Sequence, residues 1–179
     1  MEFALVMPLM VVIVLGVVET GYALLHQHVA LRLTREGSNL ISRSTTLADA
    51  ATAMTAMTSP PVNLGTNTRV IFSVIKRVGT VGASNYNKDV LYQRYSFGSI
   101  AATSALATRG GGSFGGAPDY QAANSDSDTS LQVTNLPGNL LVTGGMLYVT
   151  EMYTTHQLIT PLARFGVNIP TRLYSISYF

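Results

Sequence analysis

The sequence predicts an α+β fold: a long N-terminal hydrophobic α-helix packed by its second half on a small antiparallel β-sheet. Three observations predict it. Phe3–Val18 is an apolar run of 16 residues. Leu33, Leu40, Leu47 and Met54 then recur every seven residues until Pro60-Pro61. Beyond the prolines, four segments alternate apolar and polar residues between clusters of Gly, Pro and Asn.

The apolar run comes first. Glu19 interrupts it, and TGYALL carries it on to Leu25. As helix, Phe3–Val18 is about 24 Å long and Phe3–Leu25 about 35 Å. The hydrocarbon layer of a bilayer is about 30 Å thick, so the segment can span one if Glu19 is accommodated. It does not read as a secretory signal peptide, because no Lys or Arg precedes it and Arg32 is the first of either. His26, His28, Arg32 and Arg35 follow the span and by charge alone would hold the downstream side in the cytoplasm. An exported domain therefore leads to the expectation of a more basic leader, removed from upstream of Met1. Pro8 deletes one helix hydrogen bond and predicts a kink or a locally melted turn. Gly16 permits close approach of another helix, though Val12 and Thr20 flank it at four residues.

Beyond Leu25 the pattern is amphipathic. Leu33, Leu40, Leu47 and Met54, with Val29, Gly37, Ile41, Ser44, Ala48 and Ala51 beside them, form one narrow stripe for packing on the sheet. The expectation is one continuous helix over residues 1–58, apolar over 3–25 and amphipathic over 26–58. Its Phe3–Thr58 portion would be about 84 Å long. Such a helix has two environments, because its first half must be buried by lipid or by copies of itself.

A linker over 59–68 leads to a β-rich head over 69–179. The expected strands are RVIFSVIKRV (69–78), VLYQRYSFG (90–98), MLYVTEMYTT (146–155) and RLYSISYF (172–179). A long loop, 99–130, breaks the pattern and is expected either to be mobile or to contact something, lying outside or reaching a neighbour in a filament subunit.

Charges are sparse, at 11% of residues, with a net charge of +2. No run of Lys or Arg forms a nucleic-acid stripe. There is no cysteine, which excludes disulfides, Cys zinc sites and thiol redox motifs. No metal or other cofactor is expected. Asp126, Asp128 and Ser130 alternate like the start of a calcium loop but lack its glycine and terminal Glu. The glycines of 109–116 lack the Lys-Ser/Thr pair of a phosphate loop. His26 and His28 diverge by about 200° on a helix and cannot share a metal. His156 has no Ser, Cys or second His at a catalytic spacing, so no enzyme is expected. Glu151 is expected to pair across strands with Arg94 or Arg172.

Glu2 and Glu19 are the informative acids, because a carboxylate in hydrocarbon costs several kcal/mol unless it is paired or at the edge. Glu2 reaches headgroups from the membrane. Glu19 is expected either to snorkel to the outer interface or to pair with His26, His28 or Arg32 of another subunit.

MEFALVMPLM, G-V-V-E-T-G-Y at 16–22 and R-E-G at 35–37 resemble the TadE/TadG-like branch of the type IV pilin superfamily, and YVTEMYTTHQLITPL (148–162) resembles its late strand. The likeness covers residues 2–43 and 145–162. It implies processing by a prepilin peptidase just before the apolar segment. It also implies that Glu2 meets the α-amino group of a neighbouring subunit. On that reading Glu2, Phe3, Pro8, Gly16, Glu19 and Arg32 form the inter-subunit surface. The chain passes from the inner membrane, with the pilus assembly machinery, into an extracellular homopolymer used for surface attachment. A minor pseudopilin that primes or caps the fibre, and a bitopic membrane protein with an exported binding domain, are the alternatives.

Overall fold

The computed structural model describes residues 2–138, 140–161 and 170–179, with side chains from Val6 onward in the first helix. Helix α1 is Glu2–Ser42 and helix α2 is Leu47–Met57. The strands are β1 (Thr68–Arg77), β2 (Asp89–Gly98), β3 (Met146–Thr155) and β4 (Arg172–Tyr178). They form one antiparallel sheet in the order β2-β1-β3-β4, and α1 packs on β3 and β4. The expected α+β class is the observed one.

The single long helix is not. α1 stops at Ser42, and Ser44 takes a left-handed conformation at φ 62°. Thr46 then caps α2: its backbone is extended and its hydroxyl accepts from the amide of Asp49 at 3.1 Å. A side-chain cap offers the backbone an alternative to continued helix, which the heptad spacing concealed. The break lets α2 turn its own face, Leu47, Ala50, Ala51 and Met54, into the core. Thr46→Ala is expected to cost about 1 kcal/mol by loss of this cap, measurable as a shift in denaturation midpoint. α1 continues through Pro8 without a melted turn, because losing one amide donor leaves the hydrogen bonds on either side intact.

The inner face of the sheet presents Val70, Phe72, Val74 and Met152 to Leu33, Ile41, Leu47 and Met54, with Leu40 half-buried at the margin. Gly37 allows α1 to approach this closely. A Cβ there would lie 2.9 Å from Thr150 Cγ2 and 3.2 Å from Phe72 Cε1.

The outer face is covered too: of the two expectations for residues 99–130 it is contact that is observed, and the contact is with the chain's own sheet. That segment folds back as an irregular third layer. Leu106 and Leu141 are buried on Ile75, Leu91, Leu147 and Val149, with Phe114 and Val133 packed against them. It also protects the edge of β2, where Arg94 N donates to Tyr120 O at 3.2 Å and Ala122 N to Tyr92 O at 2.9 Å. An unpaired edge would otherwise offer its backbone to other chains. Asn85, fully buried, ties the layer down by donating to Ser125 O at 2.9 Å and Asp128 O at 2.8 Å and accepting from Gln132 at 2.8 Å.

Asp126 and Asp128 belong to this scaffold. Asp128 accepts from Ser130 N at 2.9 Å, capping the short 3₁₀ turn Thr129–Leu131. Asp126 pairs with Lys76 at 2.6 Å and accepts from Thr80 at 2.8 Å, and these contacts hold its carboxyl below the usual range. A carboxyl with a lowered folded-state pKa stabilises the fold above its unfolded pKa, and the contribution is lost as pH falls through the folded value. Asp126→Asn is therefore expected to cost at most about 1 kcal/mol at pH 7, the pair being partly exposed. The difference from wild type should close on acidification below about pH 4, as read by denaturation at several pH values.

Candidate assembly surface and its clasp

From Val6 to Val18 most of the helix surface is free of its own chain, with Val12, Leu15 and Gly16 half-buried on the Glu19 side. Met7 is 58% exposed and Leu9 61%, about 200° apart around the helix. It is the one helix among the described residues that is long and apolar enough to cross a membrane. On the face away from the sheet, Ile13, Val17, Leu24 and Leu31 continue the exposed apolar surface past Glu19. Between them Gly16, Thr20 and Gly21 leave a shallow groove. A Cβ at Gly16 or Gly21 would meet nothing within 4 Å.

On the opposite face the environment changes at Glu19. Glu19, His26, Ala30, Leu33, Thr34, Gly37, Ser38 and Ile41 are all buried and recur at three- and four-residue steps. Docking therefore begins at Glu19, about two turns before the expected amphipathic half. Much of the stripe is polar and is satisfied across the interface. Thr34 Oγ1 and Ser175 Oγ are 2.8 Å apart, and Ser38 Oγ donates to Ser177 O at 3.1 Å.

Glu19 is 0% exposed and fully engaged within its own chain. It accepts from His156 Nε2 at 3.0 Å, Thr160 N at 2.8 Å, Thr160 Oγ1 at 2.6 Å and Ile159 N at 3.2 Å. Burial makes an unpaired carboxylate expensive, and four convergent donors offset that cost. This corrects both expectations for Glu19. It neither snorkels to the interface nor waits for a cation of another subunit. Arg32 is exposed, in a shallow surface groove with His28 and Glu36, and lies about 20 Å along the helix from Glu19.

Behind Glu19 the donors form a chain. His156 Nδ1 and His26 Nδ1 are 3.4 Å apart, His26 Nε2 is 3.2 Å from Thr154 Oγ1, and Thr68 Oγ1 donates to Thr154 Oγ1 at 3.2 Å. Only one proton fits between the two Nδ1 atoms. With His156 protonated on Nε2 and His26 on Nδ1, each atom in the row has a partner and both rings are neutral. Tyr22 closes the cluster, its ring centroid 5.4 Å from that of His156. The arrangement clamps the helix to the segment after β3. It brings no nucleophile or metal set together, and no group of three potential metal ligands occurs among the described residues.

The other expected site residues are placed as follows. The backbone of Glu2 and Phe3 is helical, and their side chains lie outside the described residues. Pro8 is exposed and Gly16 half-buried. Leu33, Leu47 and Met54 are buried in the helix–sheet core. Glu151 does not pair directly with Arg94 or Arg172. Its register neighbours are Ile71 and Ile176, and its carboxylate accepts from Ser104 Oγ, from Ala105 N at 2.7 Å and from Tyr174 OH at 3.0 Å. Arg94 reaches the same serine at 3.1 Å, so Ser104 bridges the two charges. Burial lowers the Arg94 pKa, and the Glu151 charge opposes that shift.

A helix largely exposed at one end and clasped to an antiparallel sheet at the other defines an α+β protein whose N-terminal helix is long and apolar enough to cross a membrane. Residues 1–39 match the family model of TadE-like proteins. No curated protein matches the chain, and no solved structure does.

Proposed function

We propose that the chain is a structural pilin subunit, held in the inner membrane by α1 and then polymerised through it into an extracellular Tad-type pilus for surface attachment. One observation carries the reading: most of the Val6–Val18 surface is exposed, with Met7, Leu9, Met10, Ile13, Val14 and Val17 each more than half exposed. Burying each large aliphatic side chain there is worth about 1.5–3 kcal/mol relative to water. The segment is thus driven into lipid or into a bundle of its own copies. On this reading the partners are identical subunits, a prepilin peptidase and the assembly machinery, with no nucleic acid, and the protein is not an enzyme.

The match of residues 1–39 to TadE-like proteins favours a second reading, a minor pseudopilin that primes or caps the fibre. Electron microscopy of sheared surface filaments, with N-terminal sequencing of the dominant band, separates the two. The major-subunit reading expects this chain as that band. The minor reading expects it as a trace component. A chain that remains a lone membrane species, as a bitopic protein would, refutes both. Glu2→Ala is expected to leave membrane insertion unchanged and to reduce filament number, scored by fractionation and microscopy; normal filaments would remove Glu2 from assembly.

A further inference from the structure

On the outer face of the sheet, at the end far from the β1–β2 turn, the third layer stops short and leaves an open cleft of about 710 Å³. That volume is in the range of small-molecule sites. Arg69, Arg172, Tyr153, Ser99 and Thr103 line it. We propose that this cleft binds a carboxylated sugar.

The charge argument comes first. Neither Arg69 nor Arg172 forms an ion pair among the described residues. The segment 162–169, outside the described residues, contains no Asp or Glu that might supply one. Glu151, two residues from Tyr153 on the same strand face, is buried and already engaged by Ser104, Ala105 and Tyr174. The cleft therefore holds two guanidinium groups without a counter-charge. Of Arg69's five N–H donors, one goes to Ser96 Oγ at 2.7 Å and another to Gly98 O at 3.3 Å. Its Nε–H is buried and has no acceptor. These bonds fix the guanidinium and leave donors in hand, as suits a planar carboxylate.

The form of the cleft points to a sugar rather than a bare ion. Gly98, at φ 116°, brings the chain so close to Thr68 that the following residues must turn out over the sheet, and they form one wall. Ala101 and Ala102 keep that wall shallow, and Ser99 and Thr103 supply hydroxyls. Tyr153, its ring 4.8 Å from that of Tyr174, gives the cleft an aromatic surface on β3, between Arg69 on β1 and Arg172 on β4. Cations on either side of an aromatic ring, with hydroxyls beside them, complement one carboxylate on a polyhydroxylated ring.

The test uses the full chain in a zwitterionic detergent without sugar headgroups, titrated calorimetrically with glucuronate, glucose and inorganic phosphate. Glucuronate is expected to bind saturably and at least about tenfold more tightly than either of the others, a charge-assisted contact being worth about that factor. Arg172→Gln, at an exposed position, should weaken glucuronate binding about tenfold or more with an unchanged circular dichroism spectrum. Absence of saturable glucuronate binding, equal binding of glucose or phosphate, or full affinity in the folded Arg172→Gln variant would each overturn the assignment.

Discussion

Glu19→Ala is expected to destabilise the head by about 3 kcal/mol or more, because each buried donor left without its acceptor costs about 1–3 kcal/mol. The loss reaches beyond one hydrogen bond. His156 Nε2, Thr160 Oγ1 and the amides of Ile159 and Thr160 all donate to this one carboxylate, and the alanine variant strands them in a site closed to water. Denaturation followed by tyrosine fluorescence in detergent gives the global figure. Hydrogen exchange at residues 156–161 locates it, with the amides of Ile159 and Thr160 losing protection first. Glu19→Gln should fall between the alanine variant and wild type, because its carbonyl oxygen still accepts while its NH₂ faces other donors. In a double-mutant cycle, Glu19→Ala and His156→Ala should couple by about 0.5–3 kcal/mol. A loss below about 1 kcal/mol for Glu19→Ala would show that water replaces the carboxylate, contrary to the closed site described above.

Gly37→Val is expected to cost about 1–3 kcal/mol by overpacking. A Cβ at Gly37 meets Thr150 Cγ2 at 2.9 Å, Thr150 Oγ1 at 3.1 Å and Phe72 Cε1 at 3.2 Å, and valine adds two methyl groups in the same direction. Thr150 and Phe72 are both fully buried, so they have little room to withdraw. The helix would lift from β1 and β3, disturbing the core around Phe72 and Met152. Gly21 is the control. A Cβ there meets nothing within 4 Å, so Gly21→Ala should gain up to about 1 kcal/mol from helix propensity alone. Midpoints moving in opposite directions for the two glycines would confirm that close packing, not helix propensity, governs position 37. Equal and favourable shifts would refute it.

The clasp also bears on how the subunit sits in a bilayer. On the sheet-facing side, α1 is free only up to Val18, because Glu19 is held by the head. On the other side the apolar surface extends to Leu24, Leu25 and Leu31. Glu2–Val18 as helix is about 25 Å long, short of the roughly 30 Å hydrocarbon layer. In a bilayer the intact fold would thus bring the head, with exposed Ile159 beside Glu19, close to the membrane surface. The same asymmetry leaves the Gly16–Gly21 side of the helix open to neighbouring helices in a filament, the setting required by the proposed polymerisation.

Much of this architecture was legible in the residues. The uninterrupted run from Phe3 to Val18 determines that something other than the head must bury the first part of the helix, because no charge breaks it and no polar stripe gives it an orientation. Alternation determines the four strands, since a period of two on a sheet leaves little choice of face. Pro60-Pro61 determines where helix ends. The helix break at Ser42 was legible in principle, from Thr46 and Asp49 at cap spacing, but the heptad of leucines ran across it and hid it.

The partners of Glu19 were decided only by the tertiary structure. His156 and Thr160 lie more than 130 residues away in sequence, and no local spacing connects them to the helix. The face that docks was likewise hidden, because Glu19, His26, Thr34 and Ser38 read as polar and are buried only because β3, the segment after it and β4 supply matching donors and acceptors. Residues 99–141 carried no periodicity, yet they form a full layer, since the outer face of the sheet is apolar at Ile75, Leu91 and Val149 and had to be covered by something. Local sequence sets which backbone forms and which surfaces avoid water. Which polar group meets which is settled by long-range contact, where each buried donor must find an acceptor brought to it by the fold.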